Sequence, residues 1–306
     1  MGQTRRVRIE EIGPGGHPEV IAASLRRSPH LTADAASWTY DHPEVFSDLV
    51  ALVARDDDGA LLGHGRLSRA ALLPDGTRLV AVSVLTEHEG QGVGSALHEA
   101  LLARVPADTT ELRSSVHDDE PGSLAVAEHW GYAVQRTSIC SQKVLADLPT
   151  PAPGAGVTLE SVPDLRFAGD DADAVEAMLL ASQTNPEAAA GQVATVDSLR
   201  ALAHTGDPVA VLARVDGSPA AITVGDVTPD GTLFIAYTGV DPARRGHGLA
   251  RLVKEQAHLD GARLGGRVCV TENEAGNAGI RRINAELGYE VRFGTHYLVR
   301  RPAPPA

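Results

Sequence analysis

Apolar and polar positions alternate in short runs over the second half of the chain, at 157–162, 209–215, 220–227 and 233–240, and a period of two predicts strands. Turns containing Asp-Gly join the last three, which predicts an antiparallel meander. Helices are predicted within 172–202, from Gly248 toward Gly261, and from about Asn277 to Leu287, where Gly288 sits just past the last turn. A strand at 267–271 separates the last two helices, and 289–293 with 296–300 predict a closing hairpin around Gly294. The helical crossover between Val240 and Arg267 predicts that these two strands run parallel in an otherwise antiparallel sheet. The fold class is therefore α/β, with a mixed sheet of the α+β kind.

The same pattern occurs twice. Val84-Leu85-Thr86-Glu87-His88-Glu89-Gly90-Gln91-Gly92-Val93-Gly94 and Val240-Asp241-Pro242-Ala243-Arg244-Arg245-Gly246-His247-Gly248-Leu249-Ala250 each read as an apolar strand, a polar turn, two spaced glycines and a helix. An interval of 156 residues separates both Gly90 from Gly246 and Gly92 from Gly248, which points to internal duplication. Ala54-Arg55 matches Ala213-Arg214, and Trp130-Gly131-Tyr132 matches Leu287-Gly288-Tyr289. Alternating prolines at Pro149, Pro151 and Pro153 favour an extended spacer. The predicted units are 1–148 and 157–306, with 149–156 as linker.

A length of 306 residues suits two domains, and 43% hydrophobic with 22% charged residues describes globular units. The net charge of −13 argues against a phosphate-backbone footprint on nucleic acid or an anionic membrane, and favours a cationic or amine-bearing small molecule. Cys140 and Cys269 both sit in apolar alternating runs, as reduced thiols do. No leader-like or membrane-spanning run is read, so the expected compartment is the cytoplasm.

Arg245-Gly246-His247-Gly248-Leu249-Ala250 occupies a strand-to-helix junction. Unpaired amides and the positive end of the helix dipole both favour an anion there, and glycines let a phosphate approach. An isolated glycine pair is more often an ordinary tight turn; repetition and position change that balance. The Gly-Lys-Ser/Thr ending of a P-loop is missing, and so is a dinucleotide fingerprint after the first strand of a βαβ unit.

These residues, together with the strand ending at Thr271, Asn277 and Leu287-Gly288-Tyr289, resemble the GNAT acetyltransferase superfamily. The first half resembles it more weakly, and the pair of units looks like the tandem GNAT enzymes, a group that includes mycothiol synthase. The resemblance implies a sheet splayed between the fourth and fifth strands of a unit, with acetyl-CoA in the opening. Its pyrophosphate would lie on the amides of Arg245, Gly246, His247, Gly248, Leu249 and Ala250. Its pantetheine arm would pair with the strand edge that includes Thr238 and Val240, and would touch Asn277. The backbone N–H of Val240 would be the oxyanion donor.

The implied reaction moves an acetyl group from thioester sulfur to an amine through a tetrahedral intermediate. Only the neutral amine attacks, and an alkylamine with a pKa of about 10.4 needs a base or water relay. Tyr237, Glu272 and Asp226 border the inferred opening, with Glu272 favoured because it also complements an ammonium. Many family members place a tyrosine seven residues after the helix asparagine, to protonate the departing thiolate. Counting from Asn277, that position is Asn284, which can donate a hydrogen bond but not a titrating proton.

In the first unit Glu89 replaces the basic residue before the first glycine, Pro121 or Glu120 falls where Asn277 has its counterpart, and Ala127 or Glu128 where Asn284 does. A carboxylate beside a pyrophosphate is repulsive, so the first unit reads as a degenerate copy and the second as catalytic. Histidine and cysteine spacings give no metal site. The expected activity is acetyl-CoA-dependent N-acetylation of a small primary amine such as an antibiotic, amino sugar or amino-acid-like molecule. Acceptor choice would reside in the loop from Gln183 to Val196, the turn at Gly294 and the first unit. A mycothiol-synthase-like enzyme is the alternative, and a CoA-binding regulatory protein without turnover is the alternative from another class. The sequence leaves oligomeric state open.

Overall fold

The near-continuous apolar run of β8 (Asp207–Val215) is explained by burial on both faces: Val209, Val211 and Ala213 join one core and Ala210 and Leu212 another. The computed structural model describes residues 7–28, 31, 33–71, 73–184, 194–202 and 206–302, and these divide into two compact units. The first comprises 1–116, 120–135 and 296–306, and the second 117–119 and 136–295.

In the first unit, the strands β1 (Arg8–Ile12), β2 (Phe46–Arg55), β3 (Leu61–Ala70), β4 (Thr77–Val84) and β5 (Glu111–His117) are neighbours in that order, followed by residues 296–300 of β12 (Glu290–Arg300). β1–β2, β2–β3 and β3–β4 pair antiparallel, and β4–β5 pair parallel. The helices are α1 (His17–Arg27), α2 (Ala33–Asp41), α3 (Val93–Leu102) and α4 (Pro121–His129). Val93, Leu97 and Leu101 of α3, spaced at the helical repeat, bury against Leu52, Val80, Leu112 and Leu298.

The second unit carries β7 (Val157–Ser161), β8, β9 (Ser218–Val227), β10 (Thr232–Val240), β11 (Val268–Glu274) and then residues 136–144 of β6 (Ala133–Val144). Its helices are α5 (Asp170–Ser182), α6 (Val196–Leu202), α7 (Leu249–Arg263) and α8 (Ala278–Glu286). β10 and β11 are parallel, as the helical crossover required, while β7–β8, β8–β9, β9–β10 and β11–β6 are antiparallel. α7 covers one sheet face with Leu249, Val253 and Ala257, and α5 covers the other with Val175, Met178 and Leu179. The β8–β9 hairpin turns on Asp216 and Gly217, both with positive φ, the geometry that suits a twisted two-residue turn.

The compact units depart from the boundaries read in the sequence. Residues 149–156 lie inside the second unit, which also takes Arg136–Val144 from the first half of the chain, while 296 onward joins the first unit. The cause is core packing: Leu298 buries with Leu97 and Leu112, and Leu145 with Leu233 and Val253. The expected hairpin of 289–293 and 296–300 is corrected to one strand, β12, so there is no turn at Gly294. That glycine serves close approach instead: its N–H donates to Asp118 Oδ1 at 2.7 Å, and a Cβ would lie 2.5 Å from Oδ2.

Candidate functional site

In the second unit, β10 and β11 pair only from Thr232↔Val268 to Ile235↔Thr271. At the last pair, the Thr271 hydroxyl donates to the Ile235 carbonyl at 3.1 Å. Here β10 has a register shift against β9 between Ile235 and Tyr237. The extra residue reverses the side-chain alternation: Ile235 belongs to the core under α7, whereas Tyr237, two residues on, packs on the core under α5. Beyond this point β10 stays with β9, and β11 continues along β6 to Glu274↔Ser138. Two parallel neighbours thus part within one sheet.

The amide directions follow from the last bond of the β9–β10 ladder. Asp241 N–H donates to Ala220 O at 2.9 Å, and successive strand amides point to opposite edges. The N–H of Val240 therefore points away from β9, toward the opened side, and that of Thr238 likewise.

At the mouth, Asp241 caps the short turn Pro242–Arg244 by accepting from Ala243 N at 2.9 Å. Gly246 and Gly248 follow with φ of 81° and 76°, and Gly248 is the N-cap of α7. A Cβ on either would meet nothing within 4 Å, so the loop leaves a side-chain-free approach to the first amides of α7. That geometry fits a diphosphate. His247 Nδ1 is held at 2.9 Å from Arg245 O, and Leu249 and Ala250 are buried. The Arg245 guanidinium donates to Thr184 Oγ1 at 2.8 Å and to Ser182 O at 3.1 Å, so it is turned onto the end of α5.

The remaining predicted residues fall on both sides of the opening. The Tyr237 hydroxyl lies 2.5 Å from Ser182 Oγ, while Glu272 on β11 accepts from the Ser138 hydroxyl. Glu272 alternates with Cys269 and Thr271, which places it on the sheet face away from α7, the face Tyr237 also occupies. Asp226 is buried opposite Phe234. On the other face, Asn277 is the N-cap of α8, accepting from Ile280 N at 3.3 Å, and Asn284 lies buried two turns on. Residues 185–193 of the expected acceptor loop lie outside the described residues; Gln183 and Ala194 at its base exchange two hydrogen bonds.

A buried polar cluster under α7 was not read from the sequence. Lys254 is fully buried and its ammonium lies 5.1 Å from the Tyr289 ring; burial lowers its pKa to about 8. The Tyr289 hydroxyl lies 2.6 Å from His258 Nε2 and 2.9 Å from Cys269 Sγ. Burial pushes the Cys269 thiol up to about 11, the opposite of an activated nucleophile. Helical spacing puts Lys254 and His258 on the apolar stripe, the one signal available. Among the described residues no group of three or more His, Cys, Asp or Glu is placed to hold a metal, and no helix is long and apolar enough to cross a membrane.

The first unit repeats the loop geometry. Gly90 and Gly92 have φ of 71° and 82°, Gly92 is the N-cap of α3, and added Cβ atoms would again meet nothing. β4 and β5 pair only from Thr77↔Glu111 to Leu79↔Arg113. Glu120 is the N-cap of α4 as Asn277 is of α8, which leaves Ala127 at the place of Asn284.

A sheet parted between parallel neighbours, with a glycine-capped helix at its mouth, occurs in each of the two units. Residues 21–132 match the Acetyltransferase (GNAT) family, so the first half of the chain carries a GNAT domain. The chain is homologous to proteins named mycothiol acetyltransferase. The one from Nocardia farcinica is 27% identical over 88% of each chain, and that from Catenulispora acidiphila 28% identical over 90% of this chain and 86% of its own. A tandem GNAT protein from the clavulanic acid biosynthesis pathway shares the fold at a TM-score of 0.71 and 20% identity, over 98% of this chain and all of its own. A GCN5-related N-acetyltransferase from Sphaerobacter thermophilus gives the same score at 18% identity, over 97% and 96% of the two chains.

Proposed function

We propose that the chain transfers an acetyl group from acetyl-CoA to a primary amine of a small molecule, in the cytoplasm, with the chemistry in the second unit. The carrying observation is the parting of β10 and β11 at the bulge, with Gly246 and Gly248 at its mouth. Acetyl-CoA supplies the activated acetyl group. The amides from Arg245 to Ala250 hold its diphosphate, and Thr238 with Asn277 lines the path of its pantetheine arm. Val240 N–H directs a donor at the thioester oxygen. Glu272 takes the amine proton, with Tyr237 on the same sheet face as the second candidate, and Asn284 donates to the leaving sulfur.

A mycothiol-type acceptor is the second reading, favoured by the relatives of that name that align along most of the chain. The test is thiol release from acetyl-CoA with a panel of amines that includes an amine precursor of mycothiol alongside amino sugars, amino acids and amine-bearing antibiotics. Turnover with one class supports the reading and chooses the acceptor. Thermal stabilisation by CoA with no turnover on any amine would instead indicate a CoA-binding regulatory protein.

A further inference from the structure

In the first unit β3 alternates glycine with polar residues, as Gly63, His64, Gly65 and Arg66. A Cβ on Gly63 or Gly65 would come within 3.4 or 2.9 Å of Leu97 or Leu101 of α3, so the glycines let that helix close in, and His64 and Arg66 face the other way. They stand opposite Ser83 and Ala81 of β4, on the face that α1 covers. α1 buries Val20 and Ala23 and sets Ser24 beside the sheet, where its hydroxyl donates to Val20 O at 2.9 Å and lies 3.2 Å from His64 Nε2. With the Ser24 hydrogen so used, His64 Nε2 is the donor of the second bond.

Between α1 and these two strands remains a cavity of about 150 Å³, lined by Ser24, Ser28, His64, Arg66, Ala81 and Ser83 among others. A void of that size holds a molecule of about the bulk of benzene. Burial, and then Arg66, holds the His64 imidazole down to about 4, so at neutral pH the guanidinium is the only charge among the described lining groups. Arg66 is half-buried and has no carboxylate within ion-pair distance among the described residues, whereas Arg55 on β2 and Arg69 on β3 reach Glu19 and Asp75 at 2.6 and 2.7 Å. It lies instead 6.0 Å from the ring of Tyr40 on α2, whose hydroxyl is buried with no hydrogen-bond partner among the described residues. In a chain with 40 acidic side chains against 27 basic ones, a cavity-lining cation without an acid of its own is matched only by an anion from solution.

We propose that this cavity is a binding site for a small monocarboxylic acid, carried by the first unit and independent of the chemistry read in the second. The Arg66 fork pairs with the carboxylate. The Ser28 and Ser83 hydroxyls take polar groups of its short tail, and Ala81 packs on its carbon atoms. One guanidinium among neutral groups suits a monoanion better than a phosphate dianion.

Proton–nitrogen correlation spectra of the histidine rings in the full chain, titrated with lactate, test this, with the His64 signals assigned by their loss in His64→Gln. Lactate should shift these signals saturably, and lactamide, its uncharged counterpart, should not. Arg66→Gln should weaken lactate binding about ten- to a hundredfold, as expected for loss of a hydrogen bond to a charged group, and Arg66→Lys, which keeps the charge, should weaken it less. A lactamide response equal to that of lactate, an unchanged response in Arg66→Gln, or no saturable response to either lactate or acetate would overturn the proposal. A stronger response to inorganic phosphate than to both acids would overturn the carboxylate assignment. The comparison of lactate with lactamide uses the unaltered chain, so it decides the matter even where Arg66→Gln fails to fold.

Discussion

The side-chain amide of Asn284 donates from Nδ2 to Asn273 Oδ1 at 2.8 Å, while its own Oδ1 is buried with no partner among the described residues. This bond joins α8 to β11 at the strand that borders the opening, and it fixes which way the amide is presented. The amide nitrogen carries two hydrogens, so one remains to donate elsewhere.

If Asn284 donates to the leaving thiolate, that bond strengthens only as charge develops on sulfur. Asn284→Ala should then lower kcat ten- to a hundredfold, from about 1.5–3 kcal/mol for a bond to a charged group, while acetyl-CoA affinity changes little. Asn273→Ala removes only the orienting partner and should give a smaller fall in kcat. An Asn284→Ala enzyme with unchanged kcat and a lowered Tm would reduce the residue to a structural role.

Gly248 and Gly92 have equivalent backbones and unequal settings. Gly248→Glu should abolish CoA binding if the diphosphate sits at the start of α7 as proposed, because it adds bulk and negative charge there. Gly92→Glu should leave the measured affinity unaltered. Gly248→Ala separates strain from charge: an alanine at φ 76° costs about 1–2 kcal/mol of stability, and should weaken binding far less than glutamate does. Isothermal titration of the three proteins decides the matter, and equal losses from the two glutamates would place a working cofactor site in each unit.

Much of this arrangement is legible in the sequence because it is local. The Asp-Gly turn, the αL glycines before α7 and the Gly288 stop each follow from a few adjacent residues. The bulge between Ile235 and Tyr237 is not legible, since no glycine or proline marks it and only pairing with β9 and β11 creates it. Gly294 misleads for the opposite reason: a glycine that suggests a turn is there because Asp118 approaches it. The exchange of 136–144 and 296–300 depends on strand partners far away in sequence. Glu89 and Glu120 are visible as departures, but nothing along the chain links them to Arg27, which pairs with both.

Glu272 should set the height of the rate, and deprotonation of the amine its dependence on pH. With the amine and its base both needing to be deprotonated, kcat/KM should rise with pH to a plateau. Glu272→Gln should lower that plateau with acetyl-CoA affinity intact. Ser138→Ala, which removes the hydroxyl donating to this carboxylate, should lower the plateau less than Glu272→Gln does, because the carboxylate itself remains. A normal rate in Glu272→Gln together with a deficient Tyr237→Phe would transfer the role to the tyrosine that contacts Ser182.

Acid stability provides a test that needs no substrate. Burial holds the imidazole of His64 down to about 4, with Arg66 acting in the same direction. His98 is also near 4, from burial and then Arg300, and His258 near 3, from burial and then Lys254 and Lys143. Each folded-state pKa lies below the unfolded value of about 6.5, so the unfolded chain binds more protons in this range. Stability is unaffected by these groups above pH 6.5 and falls as pH drops from there through 4. His64 is 7% exposed, and its share should be about 2 kcal/mol at pH 5 relative to pH 7.5, from 1.36 kcal/mol per pKa unit. Urea unfolding of His64→Gln at the two pH values should show that much less loss than the unaltered chain. Equal losses in the two proteins would mean that His64 takes up its proton without unfolding, by way of the neighbouring Ser24 hydroxyl and solvent.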